Sequence, residues 1–523
     1  MESSEKTVSV WEMDAPQPQF APLAEDLTTE VCVVGAGIAG MSVAYELAKA
    51  GRQVVVLDDN AVGGGETGQT TAHLASALDD RYFEIERVHG REAAKLAYQS
   101  HQSAIERIGE IAAAEGIDCD YTRLDGYLFL APEHSEDYLD REREAARRAG
   151  FQDVQKLERM PDAPFDTGPC LRFPRQGRFH PLRYLQGLAR AIEANGGRIH
   201  TGTHVTEVHG GRDAHVRSDG GRTVRAGAIV VATNSPIHER LAIHSKQEPY
   251  RTFVIAARVP KGAVHDALYW DTLDPYHYVR LQGAGSGEAH DVLIVGGEDV
   301  KTGHADDAPE RYARLEAWTR VRFPVEQVER RWSGQVLEPV DLLAFIGRTP
   351  LDPQQALQGG GENVYLATGD SGHGMTHGAI AGMLIADLIL GRENPWAALY
   401  DPGRKSLTAA KEFVRVNLSV ARNYGEWLTG APDEAPNAAS IAPGTGKVLR
   451  RGGKAVAAYR DAQGRLHERS AVCTHLGCIV HWNSEETSWD CPCHGSRFSP
   501  AGEVLNGPAS APLNPADAEE TDA

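Results

Sequence analysis

Basic charge is short in this sequence: Lys and Arg total 53 against 73 Asp and Glu, a formal charge of -20 with a pI near 5.5. A field of that sign repels polyanions and anionic lipid, which argues against nucleic acid and membrane surfaces as partners. Long apolar runs are missing as well, none approaching the roughly 18 residues that span a bilayer. The opening MESSEKTVSVW also lacks a basic stretch followed by an apolar core. A cytoplasmic, unprocessed protein with no integral membrane segment is expected. Cysteine is scarce, with 7 in 523 residues. Three of them, Cys32, Cys119 and Cys170, are scattered and read as inert core thiols. The other four, Cys473, Cys478, Cys491 and Cys493, crowd one short segment and argue for a metal site. The length is enough for about three or four domains, more than a single binding module needs.

Residues 1–28 are polar and Pro-rich, which suits a leader lying across the surface. At Thr29 the text changes. TEVCVVGAGIAGMSVAYELAKAGRQVVVLD reads as an apolar strand (Val31, Val33, Val34), a glycine turn, a helix with Ala44, Leu47 and Ala48 at helical spacing and Gly51 as its stop, and a second strand. This is a βαβ unit. Helical periodicity marks the segment from Glu84 to Glu115, and EDYLDREREAARR from Glu136 to Arg148 reads as an exposed, charge-laced helix. Strands return between Gly196 and Asn234, ending in the buried run AIVVAT. Alternating, aromatic-rich stretches from Tyr250 to Glu298 suggest an antiparallel sheet that forms a substrate wall. A last strand, VYLATGD, leads into the turn SGHGM and a further helix.

After Gly391 the expected elements are a helix with Leu407, Val414, Leu418, Ala421, Tyr424 and Leu428 on one stripe, and the linker APDEAPNAAS; together they fill residues 401–440. A strand-rich module follows at 441–513, then an acidic tail at 514–523. No internal repeat is evident.

Gly35, Gly37 and Gly40 form G-x-G-x-x-G between strand and helix, and Asp58 ends the next strand. Gly35 permits the tight turn, Gly37 lets backbone approach a pyrophosphate, and Gly40 allows close helix–sheet packing. The helix N-terminus offers N–H groups to phosphate, and Asp58 can accept from a ribose hydroxyl. With the loop GGGETGQTTAH at 63–73, the strand AIVVATN and the segment ATGDSGHGMTHG at 367–378, this pattern resembles the FAD-dependent oxidoreductases of the D-amino-acid/glycine/sarcosine oxidase superfamily over about the first 390 residues. The resemblance implies an α/β FAD-binding domain, Rossmann-like and of the glutathione-reductase type, assembled from about 29–80, 180–240 and 340–392. It also implies a substrate-binding sheet at about 80–180 and 245–340. Cofactor contacts are then expected from Gly35, Gly37, Ile38, Ala39, Gly40, Asp58, Thr70, Thr71, Val205, Gly369, Gly372, Gly374, Met375 and Thr376. The helix after Gly374 is expected to point its positive end at the flavin. Some relatives attach FAD through a histidine where this chain has Gln69, so a non-covalent flavin is expected. His373 in the flavin-facing turn is a candidate to orient substrate or relay protons, as against an ordinary loop histidine.

In the last module, Cys473-Thr-His475-Leu-Gly-Cys478 is followed by Cys491-Pro-Cys493-His494-Gly-Ser496. Two thiolates and two imidazoles suit zinc as well as iron. The paired boxes, each with an additional cysteine, resemble the Rieske [2Fe–2S] proteins, a small all-β fold, including a GPA turn at Gly507. The resemblance implies Cys473 and Cys491 on one iron, His475 and His494 on the other, and a Cys478–Cys493 disulfide. Neutral imidazoles in place of two thiolates raise the potential to about -150 to +300 mV, against about -400 mV for all-cysteine ferredoxins. Ser496 matches a residue that donates to cluster sulfur. Phe498 stands where respiratory members carry tyrosine, which lowers the expected potential within that range.

Together these features point to flavin-dependent oxidation of an amine or amino-acid C–N bond. Electrons then pass one at a time through the Rieske cluster to an acceptor protein or quinone. Arg280, among Tyr269, Tyr276, His277 and Tyr278 on the substrate sheet, is a candidate carboxylate clamp, against the alternative of a surface arginine. Tyr278 is a further catalytic candidate. An O₂-using oxidase or monooxygenase with an accessory cluster, and an electron-transfer adaptor with no substrate of its own, are the alternatives.

Overall fold

The computed structural model describes residues 8–15, 18–238, 243–283, 289–350, 363–405, 413–415, 417–418 and 438–516. Strands Leu27–Val34, Val54–Leu57, Thr223–Val231 and Val364–Thr368 carry the runs that are buried on both faces, and such strands need cover on both sides. They pair in parallel in the order 364–368, 223–231, 27–34, 54–57, and Arg198–His200 adds a further parallel strand beside 54–57. Phe345–Arg348 closes one edge antiparallel, and the hairpin of Val205–His209 and His215–Ser218 extends the sheet from 223–231. Helices Ile38–Lys49, Pro181–Ala194 and Gly374–Leu390 bury their apolar residues in the large core that this sheet shares.

The second sheet has nine strands. Its main path runs Gln327–Pro339, Gln247–Pro260, His290–Lys301, Tyr278–Gln282, Leu268–Asp271, Thr122–Phe129, Cys170–Arg178 and His73–Leu74. It is mixed, not purely antiparallel as expected, because Leu268–Asp271 lies parallel to Thr122–Phe129. That junction joins the early strands (122–178) and the late ones (247–339) into one sheet.

The expected surface leader is corrected. Residues 10–14 form a short helix, and Trp11 is 1% exposed in the main core, where its Nε1 donates to the Thr70 carbonyl at 2.6 Å. An indole of that size, with its N–H satisfied inside, holds its segment to the body. The helix Glu136–Arg148 keeps the expected bounds, yet one side is buried, with Leu139 and Glu142 at 0% and 1% exposure.

The C-terminal module has a three-stranded sheet (Thr445–Arg451, Lys454–Arg460, Leu466–Ser470) and a four-stranded one (His481–Asn483, Ser488–Asp490, Arg497–Phe498, Val504–Asn506). It runs past the expected end at 513, since Ser470 N donates to Asn514 O and Arg469 bridges Pro515. Val414 and Leu418 are exposed at 55% and 64%; Leu407, Ala421, Tyr424 and Leu428, residues 431–437 of the linker and 517–523 of the tail lie outside the described residues. Among the described residues no helix is long and apolar enough to cross a membrane.

Candidate functional site

A cavity of about 650 Å³ begins at the glycine turn. Gly35 has φ +107°, and a Cβ there would sit 2.3 Å from the Ala232 carbonyl, so both conformation and space require glycine. Gly40 is tighter still: its Cβ would lie 1.9 Å from the Gly35 carbonyl, which shows the close helix–turn packing expected of it. At Gly37 the obstacle is the Thr67 hydroxyl at 3.1 Å, and that hydroxyl accepts from Ile38 N. Asp58 is fixed at its strand end by Ala36 N at 2.5 Å and Asn60 N at 2.7 Å. Burial, then neighbouring Asp59, push its carboxyl up to about 7.

Of the expected cofactor residues, Gly35, Gly37, Ile38, Ala39, Asp58, Thr70, Thr71, Val205, Gly372, Gly374 and Met375 line this cavity. Gly40, Gly369 and Thr376 stand behind it, Thr376 bonded to buried His101 at 2.9 Å. The cavity wall also holds Gln335, 3% exposed, whose Nε2 and Oε1 both lack a partner in the protein. The cradle at Gly35 and Gly37, where no Cβ stands between backbone and cavity, with Asp58 at the strand end, fits a dinucleotide.

Beyond the turn at Gly372 the lining becomes aromatic and acidic. Tyr278 faces Tyr276 with ring centroids 5.3 Å apart and bonds Thr252; Tyr276 donates to Asp79 at 2.6 Å. His373 caps the helix Gly374–Leu390. Its Nε2 accepts from Asp79 N at 2.9 Å, and burial holds its pKa below the usual histidine range, so the neutral ring carries its proton on Nδ1. That geometry makes His373 the group that fixes Asp79. Asp80, Asp274, Asp299 and Glu338 complete the acidic end. Burial, against lowering hydrogen bonds from Ser371 and Thr252 and with Asp79 adding to the rise, pushes Asp80 and Asp299 up to about 7. The adjacent pair Asp79-Asp80 after GQTTAHLASAL was visible in sequence, but nothing there tied Asp299 or Glu338 to it.

Arg280 is the clearest correction. It is 0% exposed, absent from the cavity lining, and donates to the carbonyls of Ala72 (2.8 Å), Phe179 (3.0 Å) and Leu281 (3.2 Å) and to Gln282 Oε1 (2.5 Å). Burial, with Arg178 nearby, pulls its pKa down to about 9. Its guanidinium knits the backbone behind the 70–72 loop, so it is neither a carboxylate clamp nor a surface group.

In the small module, Cys478 and Cys493 form a disulfide, so although their Sγ atoms lie within 4.8 Å of Cys491 they are not free thiolates. Cys473 and Cys491 are free and buried. The Cys491 thiol donates to Cys473, and backbone N–H groups of His475 and Leu476 also face it, holding Cys473 below the ordinary thiol range while Cys491 is pushed up. The His475 and His494 rings stand 5.1 Å apart. Two buried free thiols beside two imidazoles, on loops tied by a disulfide, fit the S₂N₂ donor set of a Rieske cluster. Ser496 adds a hydroxyl toward Cys473, and Phe498 is fully buried in the same core.

A family model described as FAD dependent oxidoreductase matches residues 30–388. The chain belongs to that family. A second, the Rieske [2Fe-2S] domain, matches residues 434–517, so this FAD-dependent oxidoreductase carries an iron–sulfur module. Over 98% of both chains it is 32% identical to the Rieske 2Fe-2S iron-sulfur protein YhfW of Bacillus subtilis (strain 168). Gamma-glutamylputrescine oxidoreductase of Escherichia coli (strain K12) is 30% identical over 71% of this chain and 86% of its own. The glycine oxidase of Geobacillus kaustophilus shares the fold over 72% of this chain and 99% of its own, with a TM-score of 0.58 at 20% identity. The family's cofactors are FAD for the large domain and a [2Fe–2S] cluster for the small one. The residues that would hold them are the cavity lining around Gly35–Asp58 and 372–375 for FAD, and Cys473, His475, Cys491 and His494 for the cluster.

Proposed function

We propose that this protein oxidises the C–N bond of an amine and delivers the electrons singly to an external acceptor. When bound, FAD accepts the hydride and the cluster carries single electrons. The observation that supports this most is the continuity of one cavity: its lining runs from Gly35 and Gly37, past Tyr276 and Tyr278, and includes Val504, Asn506, Gly507 and Ala509 of the Rieske module. An adaptor without a substrate needs no room beyond the cofactor, and here Trp270, Tyr276, Tyr278, Asp299 and Glu338 line such room. The names of the relatives, gamma-glutamylputrescine oxidoreductase and glycine oxidase, agree with chemistry at a carbon bearing nitrogen.

Between an amine and an amino acid, the lining favours the amine. A substrate carboxylate needs a cationic partner, and among the described lining residues Arg81 is the single Lys or Arg. Its guanidinium already donates to Leu78 O, Asp271 O and Tyr138 Oη. Carboxyls outnumber it there, which suits a substrate with a second cationic group. The chain's own tasks are to hold that cation at Asp299 and Glu338, to position the reacting carbon between Tyr278 and the 372–375 turn, and to exclude water with aromatic walls.

The experiment that tests the electron route is the pair His475→Ala and His494→Ala in the full chain. Anaerobic bleaching of the flavin by substrate should continue at nearly the normal rate, while turnover with a one-electron acceptor collapses. Surviving acceptor turnover in that cluster-free variant would establish the oxidase reading instead. A panel of mono- and diamines, N-methyl amines and D- and L-amino acids, read by the same bleaching, tests the substrate class.

A further inference from the structure

The Rieske module rests directly on the FAD domain, and one of its loops enters the cofactor cavity. Residues 504–507 and 509 of that module line the cavity. Asn506 Nδ2 donates to Glu66 Oε1 at 2.8 Å, and Glu66 is anchored by Gln335 N at 2.6 Å. On the other flank the Ser510 carbonyl accepts from His204 Nε2 at 2.9 Å, beside Val205. A Cβ on Gly507 would touch Ile237 and the Ser235 carbonyl at 3.3 Å, and one on Gly495 would lie 2.4 Å from the open amide of Gln335. The same loop reaches back to the cluster site, because Ala509 N donates to Ser496 Oγ at 3.0 Å and Ser496 bonds Cys473.

The docking is secured elsewhere as well: Glu486 meets Arg251 at 3.2 Å, His481 Nδ1 donates to Gly303 O at 2.6 Å, and Ser484 bonds Asp306 through both N and Oγ. His244 of the FAD domain packs its ring 4.8 Å from that of His475.

From this we infer that the Rieske loop 504–509 is a wall of the FAD site, clasped by Asn506 to Glu66, so that the flavoprotein half holds its cofactor fully only while the iron–sulfur half is docked. A dinucleotide in a cavity whose wall belongs to another module leaves only when that wall lifts, and each contact between wall and floor slows the lifting. One loop therefore serves both redox sites, covering the cluster's Ser496 on one side and the nucleotide on the other. The inference rests on FAD binding by the family and holds whichever substrate or acceptor is used.

The test uses the full-length holoprotein. Asn506→Asp sets a carboxylate against Glu66; on dilution, FAD release followed by flavin fluorescence should be at least tenfold faster than in the wild type, with iron and labile sulfide per chain unchanged. Adding Glu66→Gln to that variant restores an amide–carboxylate pair with the roles exchanged, and the release rate should return toward the wild-type value. A measurement on unmodified protein stands beside the variants: the amides of residues 504–507, 509 and 510 should exchange with deuterium more slowly in FAD-loaded than in FAD-stripped protein. Wild-type release rates in Asn506→Asp, or exchange at these amides that ignores FAD, would overturn the inference.

Discussion

The two redox sites of this protein are built in opposite ways. The four residues that would hold the cluster sit on two loops between residues 473 and 494, held together by the Cys478–Cys493 disulfide and a small buried core around Trp489 and Phe498. The FAD cavity instead gathers residues from Val34 to Ala509, some on the parallel sheet, some on the mixed sheet and some on the other module. A local site depends on a few ligand atoms and fails all at once. A dispersed site depends on many packed segments, and damage anywhere in its support reaches it by degrees.

The sharpest break in that comparison comes from removing a ligand. Cys473→Ser should reduce iron and labile sulfide per chain to background, because a cluster cannot be held by the remaining donors, while a large share of the FAD stays bound. Parallel loss of both cofactors would show that the sites are not separable. A second blow falls on the dispersed site at a distance. Trp11→Ala empties a core position beneath the Thr70 carbonyl, at a cost of about 3–5 kcal/mol. A melting transition several degrees lower with weaker FAD binding and normal iron content is the expected result; an unchanged transition would mean that the N-terminal helix is not part of the core.

The next effect is one of charge. The Asp299 carboxyl, held up at about 7 by burial against the lowering effect of Thr252, with Asp79 raising it and Arg311 lowering it, is neutral in acid and ionised above that value. A permanently cationic, non-oxidisable quaternary ammonium competitor should therefore bind about tenfold more tightly as pH rises from 6 to 8, the scale of one partly screened charge pair. Asp299→Asn should flatten that rise, and an unaltered pH profile would move the cation site elsewhere. The smallest change sharpens the local site. In Phe498→Tyr, a hydroxyl that reaches cysteine sulfur withdraws electron density, so the midpoint potential should rise on the order of tens of millivolts. An equal or lower potential would mean that the ring does not face the cluster.

Much of this architecture was legible before any coordinates. The βαβ unit was readable because Gly35, Gly37, Gly40 and Asp58 are tied to backbone geometry within one short stretch, and the Rieske module was readable because its Cys/His spacing is a local code. Arg280 was not. Its tyrosine-rich neighbourhood suggested a face open to substrate, and strand alternation does put it on the Tyr278 face. Tyr278 reaches the cavity while Arg280, on the same face two residues on, is sealed beneath the 70–72 loop that folds over it. Trp11 failed for another reason, since a Pro-rich composition describes a segment's local preference and carries no information about a single indole finding a distant pocket.

The sequence by itself determined the two cofactor modules and their order, because phosphate-binding turns and metal loops encode their chemistry over a few neighbouring residues. Tertiary structure alone decided which carboxyls meet at the far end of the cavity, what Arg280 binds, and that Asn506 meets Glu66 on the cavity wall. Those outcomes depend on contacts between segments hundreds of residues apart, where burial and sheet register select the partners and no local pattern records the choice.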